Sequence, residues 1–159
     1  MKHLPKHIRP RWRYLAVEIE SLPEATISRG DFQRALWYAA GNLLGDVKSA
    51  DCDLTVYGFS FDNGTGETLI RVRRGETEPA RAALACVDRI DDAPVGLVVR
   101  GISGTVRACE ERYLGRQTGS FEQRHVDFAA ARRPAICRDD VAEISLSSGS
   151  VSATELDFE

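Results

Sequence analysis

No stretch of this chain approaches the run of about 20 apolar residues that a membrane-spanning helix requires. The opening, MKHLPKHIRPRWRYL, lacks the apolar centre of a secretory signal. The expected compartment is therefore the cytoplasm, with no membrane partner. Cysteine is sparse and unpatterned: Cys52, Cys86, Cys109 and Cys137 form no CxxC, and no histidine completes a zinc spacing. Buried free thiols and no metal ligated by the chain are the expectation. Lysine is scarce, at 3 of the 21 basic residues, the other 18 being arginine. Arginine presents a planar, bidentate fork to phosphate, although a biased genome yields the same composition. Missing too are GxSxG, the P-loop GxxxxGK[ST], HExxH and GxGxxG. Glu110 and Glu111 are neighbours on a helical stretch and diverge, so they make no acid–base pair. No catalytic residue is assigned.

What is present suits one soluble domain: 159 residues, 43% apolar and 28% charged. The net charge of −3 divides unevenly. Residues 1–14 hold Lys2, Lys6, Arg9, Arg11 and Arg13 and no acid, whereas residues 139–159 carry −6 and no base. That leaves +3 on residues 1–138, a mildly basic body with an acidic tail and a pointer towards nucleic acid.

Periodicity supplies the elements. RWRYLAVEIE (11–20) alternates and reads as a strand with Leu15, Val17 and Ile19 on one face. Ser28 caps a helix whose apolar stripe runs through Phe32, Leu36 and Ala39 and whose stop is Gly45. DLTVYGFSF (53–61) and ETLIRVRR (67–74) read as a hairpin across DNGTG. Thr77 opens a helix to residue 90, DDAP (91–94) turns, VGLVVRGI (95–102) is a strand, and Ser103 opens a last helix to about Leu114. The order β-α-β-β-α-β plus a helix predicts an α+β protein. Its plan is the ferredoxin-like (split βαβ) sandwich: a four-stranded antiparallel sheet in the order fourth, first, third, second, with an additional C-terminal helix. GRQTGS (115–120) reads as a linker, and FEQRHVDFAAARRPAI (121–136) as a helix that stops before Pro134. The domain boundaries are 1–116 for an RNA- or partner-binding domain and 117–159 for an acidic, partly disordered extension.

Three basic features stand out. The arm KHIRPRWR interleaves Lys6, Arg9, Arg11 and Arg13 with Trp12 and Tyr14; cations neutralise phosphate and flat rings stack on bases, yet Trp12 also suits a core. Arg71, Arg73 and Arg74 follow on the third strand, with Arg71 and Arg73 facing away from the helices. The positions where an RNA-recognition sheet carries stacking aromatics hold Leu69, Arg71 and Arg73, which disfavours base stacking on this strand and leaves phosphate, a protein partner, or ordinary surface. Last, RGISGTVRAC (100–109) passes through Gly101, Ser103 and Gly104 into a helix, with Thr105 in the same candidate site and Arg100 and Arg107 bracketing it. It reads equally as an anion site at a helix N-terminus or as a tight capped turn.

In this order these features resemble the archaeal ribonuclease P protein component 2 family, which has a eukaryotic ribonuclease P/MRP counterpart. The residues that carry the resemblance are Arg11-Trp12-Arg13-Tyr14-Leu15, Ile70-Arg71-Val72-Arg73 and Gly104-Thr105-Val106-Arg107-Ala108-Cys109, within about residues 1–115. MKHLPKHIRPRWRYLAVEIE, RVRRGETEPARAALACVD and RGISGTVRACEERYLG look like haloarchaeal members in particular. The resemblance implies a non-catalytic subunit that supports a catalytic RNA in removing the 5′ leader of precursor tRNA. It implies ribonuclease P RNA and protein component 3 as partners, the latter in a two-plus-two heterotetramer. Components 1 and 4 join the holoenzyme, and precursor tRNA is met indirectly. It places divalent metal, magnesium, at the RNA's catalytic site, with no cofactor bound by this chain. Two other classes are compatible with the fold plan. An acylphosphatase-type enzyme would need an early glycine-rich phosphate loop, which PRWRYLAVEIE does not contain. A small-molecule-binding regulatory module would normally adjoin a second catalytic domain.

Overall fold

The computed structural model describes residues 4–115, 122–138, 141–147, 149–154 and 157. The chain divides into two compact units, Met1–Arg116 and Gln117–Glu159.

The first unit is built on β1 (Trp12–Ser21), the central strand of a five-stranded sheet. On one side it pairs antiparallel with β3 (Thr65–Arg73), which pairs in turn with β2 (Thr55–Asp62). On the other side it pairs antiparallel with β5 (Ala93–Ser103), whose start folds back onto β4 (Arg89–Ile90). The sheet order is β2-β3-β1-β5-β4. The four long strands lie as the sequence order leads one to expect. The fifth, β4, occupies residues expected to end a helix: α2 (Thr77–Ala85) stops early, and Asp91, at φ 49°, turns Ile90 back against Ala93. Thr77 is the first helical residue of α2 rather than its cap, and Glu76 at the cap position makes no side-chain capping bond.

α1 (Arg29–Cys52) starts where Ser28 predicts. The Ser28 hydroxyl accepts from the Asp31 N–H at 3.2 Å, and the Ser28 N–H donates to the Asp31 carboxylate at 3.0 Å, a reciprocal capping box. The Asp31 carboxyl is held below the ordinary carboxylate range, first by the Ser28 hydroxyl and then by the Ser28 backbone; burial opposes them, and Arg34 adds a further lowering. A lowered folded-state pKa means that this stabilisation is present above the ordinary titration range and lost as pH falls through the folded value. Ser28→Ala is expected to cost about 1 kcal/mol at neutral pH. In urea melts taken at decreasing pH, the gap to the wild type should narrow as Asp31 protonates. Gly45 does adopt a non-helical geometry, at φ 75° and ψ 166°, but a second helical segment follows it and Asp53, at φ 48°, closes the helix instead. A glycine stop signal reports the local backbone state; the sequence beyond it decides whether the helix resumes.

α1 and α2 cover one face of the sheet. Leu15, Val17 and Ile19 of β1 and Ile70 and Val72 of β3 are fully buried there against Phe32, Leu36 and Ala40 of α1 and Ala80 and Ala83 of α2. Each large side chain so buried contributes about 1.5–3 kcal/mol before entropy is charged against it. α1 also guards the outer edge of β2. Gln33 accepts from the Val56 N–H at 2.7 Å, the Trp37 indole donates to the Leu54 carbonyl at 2.8 Å, and the Arg29 guanidinium donates to the Val56 carbonyl. These bonds satisfy backbone groups that an edge strand otherwise leaves open, and they fix the start of β2. α3 (Val106–Tyr113) packs on the opposite face, where Cys109 is buried with Ala16 and Leu69.

The second unit contradicts the helix expected over 121–136. Its described residues form β6 (Glu122–Phe128), β7 (Ala131–Arg138), β8 (Val141–Leu146) and β9 (Gly149–Thr154), an antiparallel meander in that order. Ala129 and Ala130 make the first turn with φ of 52° and 59°. Left-handed two-residue turns normally announce themselves with Asn-Gly or Asp-Gly, and Ala-Ala gives no such signal. Pro134 sits inside β7 opposite His125, beyond the Ala135–Arg138 stretch that pairs with β8, so its missing N–H faces no β8 partner. Val126, Ala135, Ala142, Ile144 and Ala153 form the unit's own buried cluster. The extension expected to be partly disordered is thus strand among its described residues. Most of the expected 115–120 linker (116–120), Phe121 at the head of the expected helix, and part of the acidic tail lie outside the described residues.

The observed architecture is α+β, with antiparallel sheets and, among the described residues, three helices.

Candidate nucleic-acid interface

Antiparallel pairing gathers residues far apart in sequence at one end of the first sheet. Trp12 at the start of β1 stands opposite Arg73 at the end of β3, Tyr14 opposite both Arg71 and Ser103, and Thr55 of β2 opposite Arg71. Arg11, Arg13, Arg71, Arg73, Arg74, Gly104, Thr105 and the N-terminus of α3 therefore share that end. The other end carries Glu20 on β1, the Asp62 turn between β2 and β3, and Asp91 and Asp92 between β4 and β5. The first end is richer in arginine and the second in carboxylates, although Asp53 stands beside Arg73 at the first and Arg89 of β4 at the second.

On the face that bears α3, the basic end is a compact aromatic–guanidinium cluster. The Arg71 guanidinium carbon lies 4.0 Å from the Trp12 ring centroid and 5.6 Å from that of Tyr57. Arg71 Nη2 donates to Thr55 Oγ1 at 3.3 Å, while its Nε is buried with no acceptor among the described residues. Arg73 lies 5.9 Å from the Trp12 ring and 3.8 Å from the Asp53 carboxylate, a loose and exposed pair worth little. Tyr14 and Tyr57 meet edge to face at 5.9 Å. Trp12 is thus neither a plain core residue nor a free arm residue; it backs the Arg71 side chain. α3 covers Ala16 and Leu69 farther along the same face and packs beside Tyr14, while Tyr57 stays exposed. Tyr57 was not among the expected site residues. Its only signal was the alternation of VYGF, which places it on the face opposite Val56. Stacking surface is present after all, supplied by β1 and β2 rather than by β3.

The turn into α3 is divided by the structure. Ser103, expected to open the helix, is the last residue of β5; the N-cap is Thr105, which accepts from the Ala108 N–H at 3.2 Å. A Cβ on Gly104 would stand 3.2 Å from Arg13 Nη1, so the Arg13 guanidinium lies close beside this turn. A Cβ on Gly101 would fall 2.3 Å from the Tyr113 ring, so that glycine lets α3 seat on the sheet. Arg100 and Arg107 do not bracket the turn together. Arg107 donates to Glu111 at 2.7 Å on the outside of α3, with 89% of its side chain exposed. Arg100 reaches across the face from the neighbourhood of the β1–β5 bulge, and its Nε and Nη2 both meet Glu18 Oε2. Glu18 is only 5% exposed. Cys109 lies beneath, its thiol 3.3 Å from the Tyr14 carbonyl and its pKa pushed up chiefly by burial. Cys52 is likewise buried and raised by burial; Cys86, expected inside a helix, is exposed just past the end of α2. Among the described residues, no group of three or more His, Cys, Asp and Glu side chains is placed to hold a metal ion.

The arm enters this end from outside the sheet. Lys6, Arg9 and Arg11 are exposed, a turn closes from the Ile8 N–H to the Pro5 carbonyl at 3.0 Å, and the Arg74 N–H donates to the Arg11 carbonyl at 2.8 Å. Deleting residues 1–10 removes cations without touching the buried face of β1. RNA affinity should fall severalfold, with a shallower dependence on salt and an unchanged melting temperature. Filter binding across a salt series, beside a thermal melt, checks both.

The sequence model of the Rpp14/Pop5 family matches residues 13–114, from the second residue of β1 to the residue that closes α3. The chain belongs to the Rpp14/Pop5 family. Similar curated proteins carry the name ribonuclease P protein component 2. The one from Halorubrum lacusprofundi is 59% identical over 159 residues, the whole of both chains. The one from Natronomonas pharaonis is 58% identical over 99% of this chain and 98% of its own. The one from Methanosarcina mazei is 40% identical over 114 residues, 72% of this chain but 93% of its own. The Rpp14/Pop5 match therefore takes in the whole basic end except Arg11 and Trp12, and ends before the second sheet. The Methanosarcina relative has too little unmatched chain for a second sheet of this size, whereas the Halorubrum and Natronomonas relatives align through it.

Proposed function

We propose that the basic end of the first sheet is the surface by which this chain engages RNA. The observation that carries the functional reading is the near-complete alignment, at 59% and 58% identity, with proteins named ribonuclease P protein component 2. This chain is a protein subunit of ribonuclease P, an endoribonuclease of tRNA processing. Within that holoenzyme the chain acts as a non-catalytic support for the RNA that removes the 5′ leader. The fold plan is that of the ferredoxin-like split βαβ sandwich, extended by β4 and by α3. Unit 1–116 carries the binding surfaces and unit 117–159 is an appendage outside the family's common domain.

The residues assigned to RNA or partner contact are Lys6, Arg9, Arg11, Arg13, Tyr14, Arg71, Arg73, Arg74, Gly104 and Thr105, with Arg107 at the rim. Arg100 is assigned a structural task on Glu18. Protein component 3 pairs with the chain in a two-plus-two assembly, components 1 and 4 complete the particle, and precursor tRNA is met through the RNA. Magnesium belongs to the RNA site. No helix among the described residues is long and apolar enough to cross a membrane, and the proposed compartment is the cytoplasm. Omission reconstitution tests the reading. Ribonuclease P RNA with the remaining protein components should cleave precursor tRNA more slowly without this chain than with it, and equal rates would overturn the assignment.

A further inference from the structure

The basic end offers more than charge. Tyr57 is 48% exposed, although Tyr14 holds its ring edge-on and α1 fixes the strand on either side of Leu54 and Val56. A large, flat, rigidly held ring is therefore presented to solvent. Beside it, Arg71 is backed by Trp12 and pinned to Thr55, with its Nε buried and lacking an acceptor among the described residues. Arg73 at the end of the same strand and Arg74 in the turn just beyond it are exposed.

We propose that this platform takes one unpaired nucleotide of RNA. The base stacks on the part of the Tyr57 ring that Arg71 and Tyr14 leave open, and its phosphate or sugar oxygens accept from the guanidinium groups of Arg71 and Arg73. This inference rests on the reading of the chain as a ribonuclease P subunit. A nucleotide supplies a flat ring and an anion within one residue's reach, which matches a ring and a guanidinium 5.6 Å apart. A carboxylate side chain of a protein partner would answer the arginines and leave the ring unused. Bases inside a duplex have both faces occupied by their neighbours, so the site selects single strands.

The test uses the full chain with end-labelled RNA and reads fluorescence anisotropy. The probes are a short single-stranded RNA of mixed sequence and the same strand annealed to its complement. The single strand should bind about tenfold more tightly than the duplex. Tyr57→Ala should weaken it about tenfold and Tyr57→Phe within about twofold, since the ring and not the hydroxyl does the stacking. Unchanged affinity of Tyr57→Ala, or a duplex that binds as well, overturns the inference. So does a Tyr57→Ala chain that binds RNA normally but loses protein component 3, which would make the platform a protein surface. Precursor-tRNA cleavage in the reconstituted holoenzyme separates the two claims. If the wild-type chain stimulates cleavage while Tyr57→Ala leaves oligonucleotide affinity unchanged, the platform falls and the subunit reading stands. If the wild-type chain fails to stimulate, the subunit reading falls.

Discussion

Replacing Arg71 by alanine should weaken RNA binding by about ten- to a hundredfold while leaving the melting temperature nearly unchanged. The affinity estimate follows from hydrogen bonds to a charged group, about 1.5–3 kcal/mol in loss. The small stability effect follows from two opposed changes. Removing the side chain forfeits a cation–π contact with Trp12, about 0.5–1 kcal/mol at a partly exposed site. It also removes a buried Nε without an acceptor among the described residues, which favours the variant. Arg71→Lys should not restore binding, because an ammonium lacks the planar fork that stacks on Trp12 and donates in two directions. Arg107 makes the contrast. Its side chain is 89% exposed and already answered by Glu111, so Arg107→Ala should change affinity only a few-fold. The difference should persist at high salt, where counterion release contributes little and fixed geometry remains. Binding isotherms for the three variants at low and high salt, beside thermal melts, check this set.

Arg100→Ala should do the reverse, destabilising the fold by about 2 kcal/mol and leaving RNA affinity per folded molecule within about twofold. Its guanidinium meets a Glu18 carboxylate that is 5% exposed, on a strand at the centre of the sheet. Truncating one partner of a fully buried pair costs about 3–5 kcal/mol, because the other charge stays behind. Arg100 is half-exposed, so water reaches the vacated site and the cost is smaller. Glu18→Gln combined with Arg100→Ala removes the stranded charge and should recover most of the loss. Urea titrations of the two variants and the double variant measure the coupling. Full stability with lost RNA binding would instead make Arg100 a ligand of RNA.

The contrast between these arginines shows what the sequence holds and what it does not. Alternation in RWRYLAVEIE places Leu15, Val17 and Ile19 on the core face and Tyr14 on the other, and the Ser28–Asp31 box starts α1 where expected, because both signals are local. Arg71 and Arg73 are legible as facing away from α1 and α2 for the same reason. Arg100 is not legible, because its partner Glu18 is 82 positions away and only the β1–β5 pairing brings them together. The same holds for Tyr57, whose meaning depends on Trp12 and Arg71 arriving beside it from two other strands. The C-terminal meander is hidden differently. Its first turn takes left-handed geometry at Ala129 and Ala130, where composition argues for a helix, and cross-strand pairing overrides propensity. β4 is two residues long, below any periodicity.

The central claim is that RNA meets the arginine-rich end of the first sheet and not its acidic end. A cleavage reagent tethered to one cysteine tests it most directly. With Cys86 and Cys137 replaced by alanine, and Cys52 and Cys109 buried, an iron chelate is attached to Arg11→Cys in one chain and to Asp62→Cys in another. Each chain is then assembled with ribonuclease P RNA. Defined strand scission is expected from position 11 and none from position 62. Scission from position 62 with none from position 11 would contradict it.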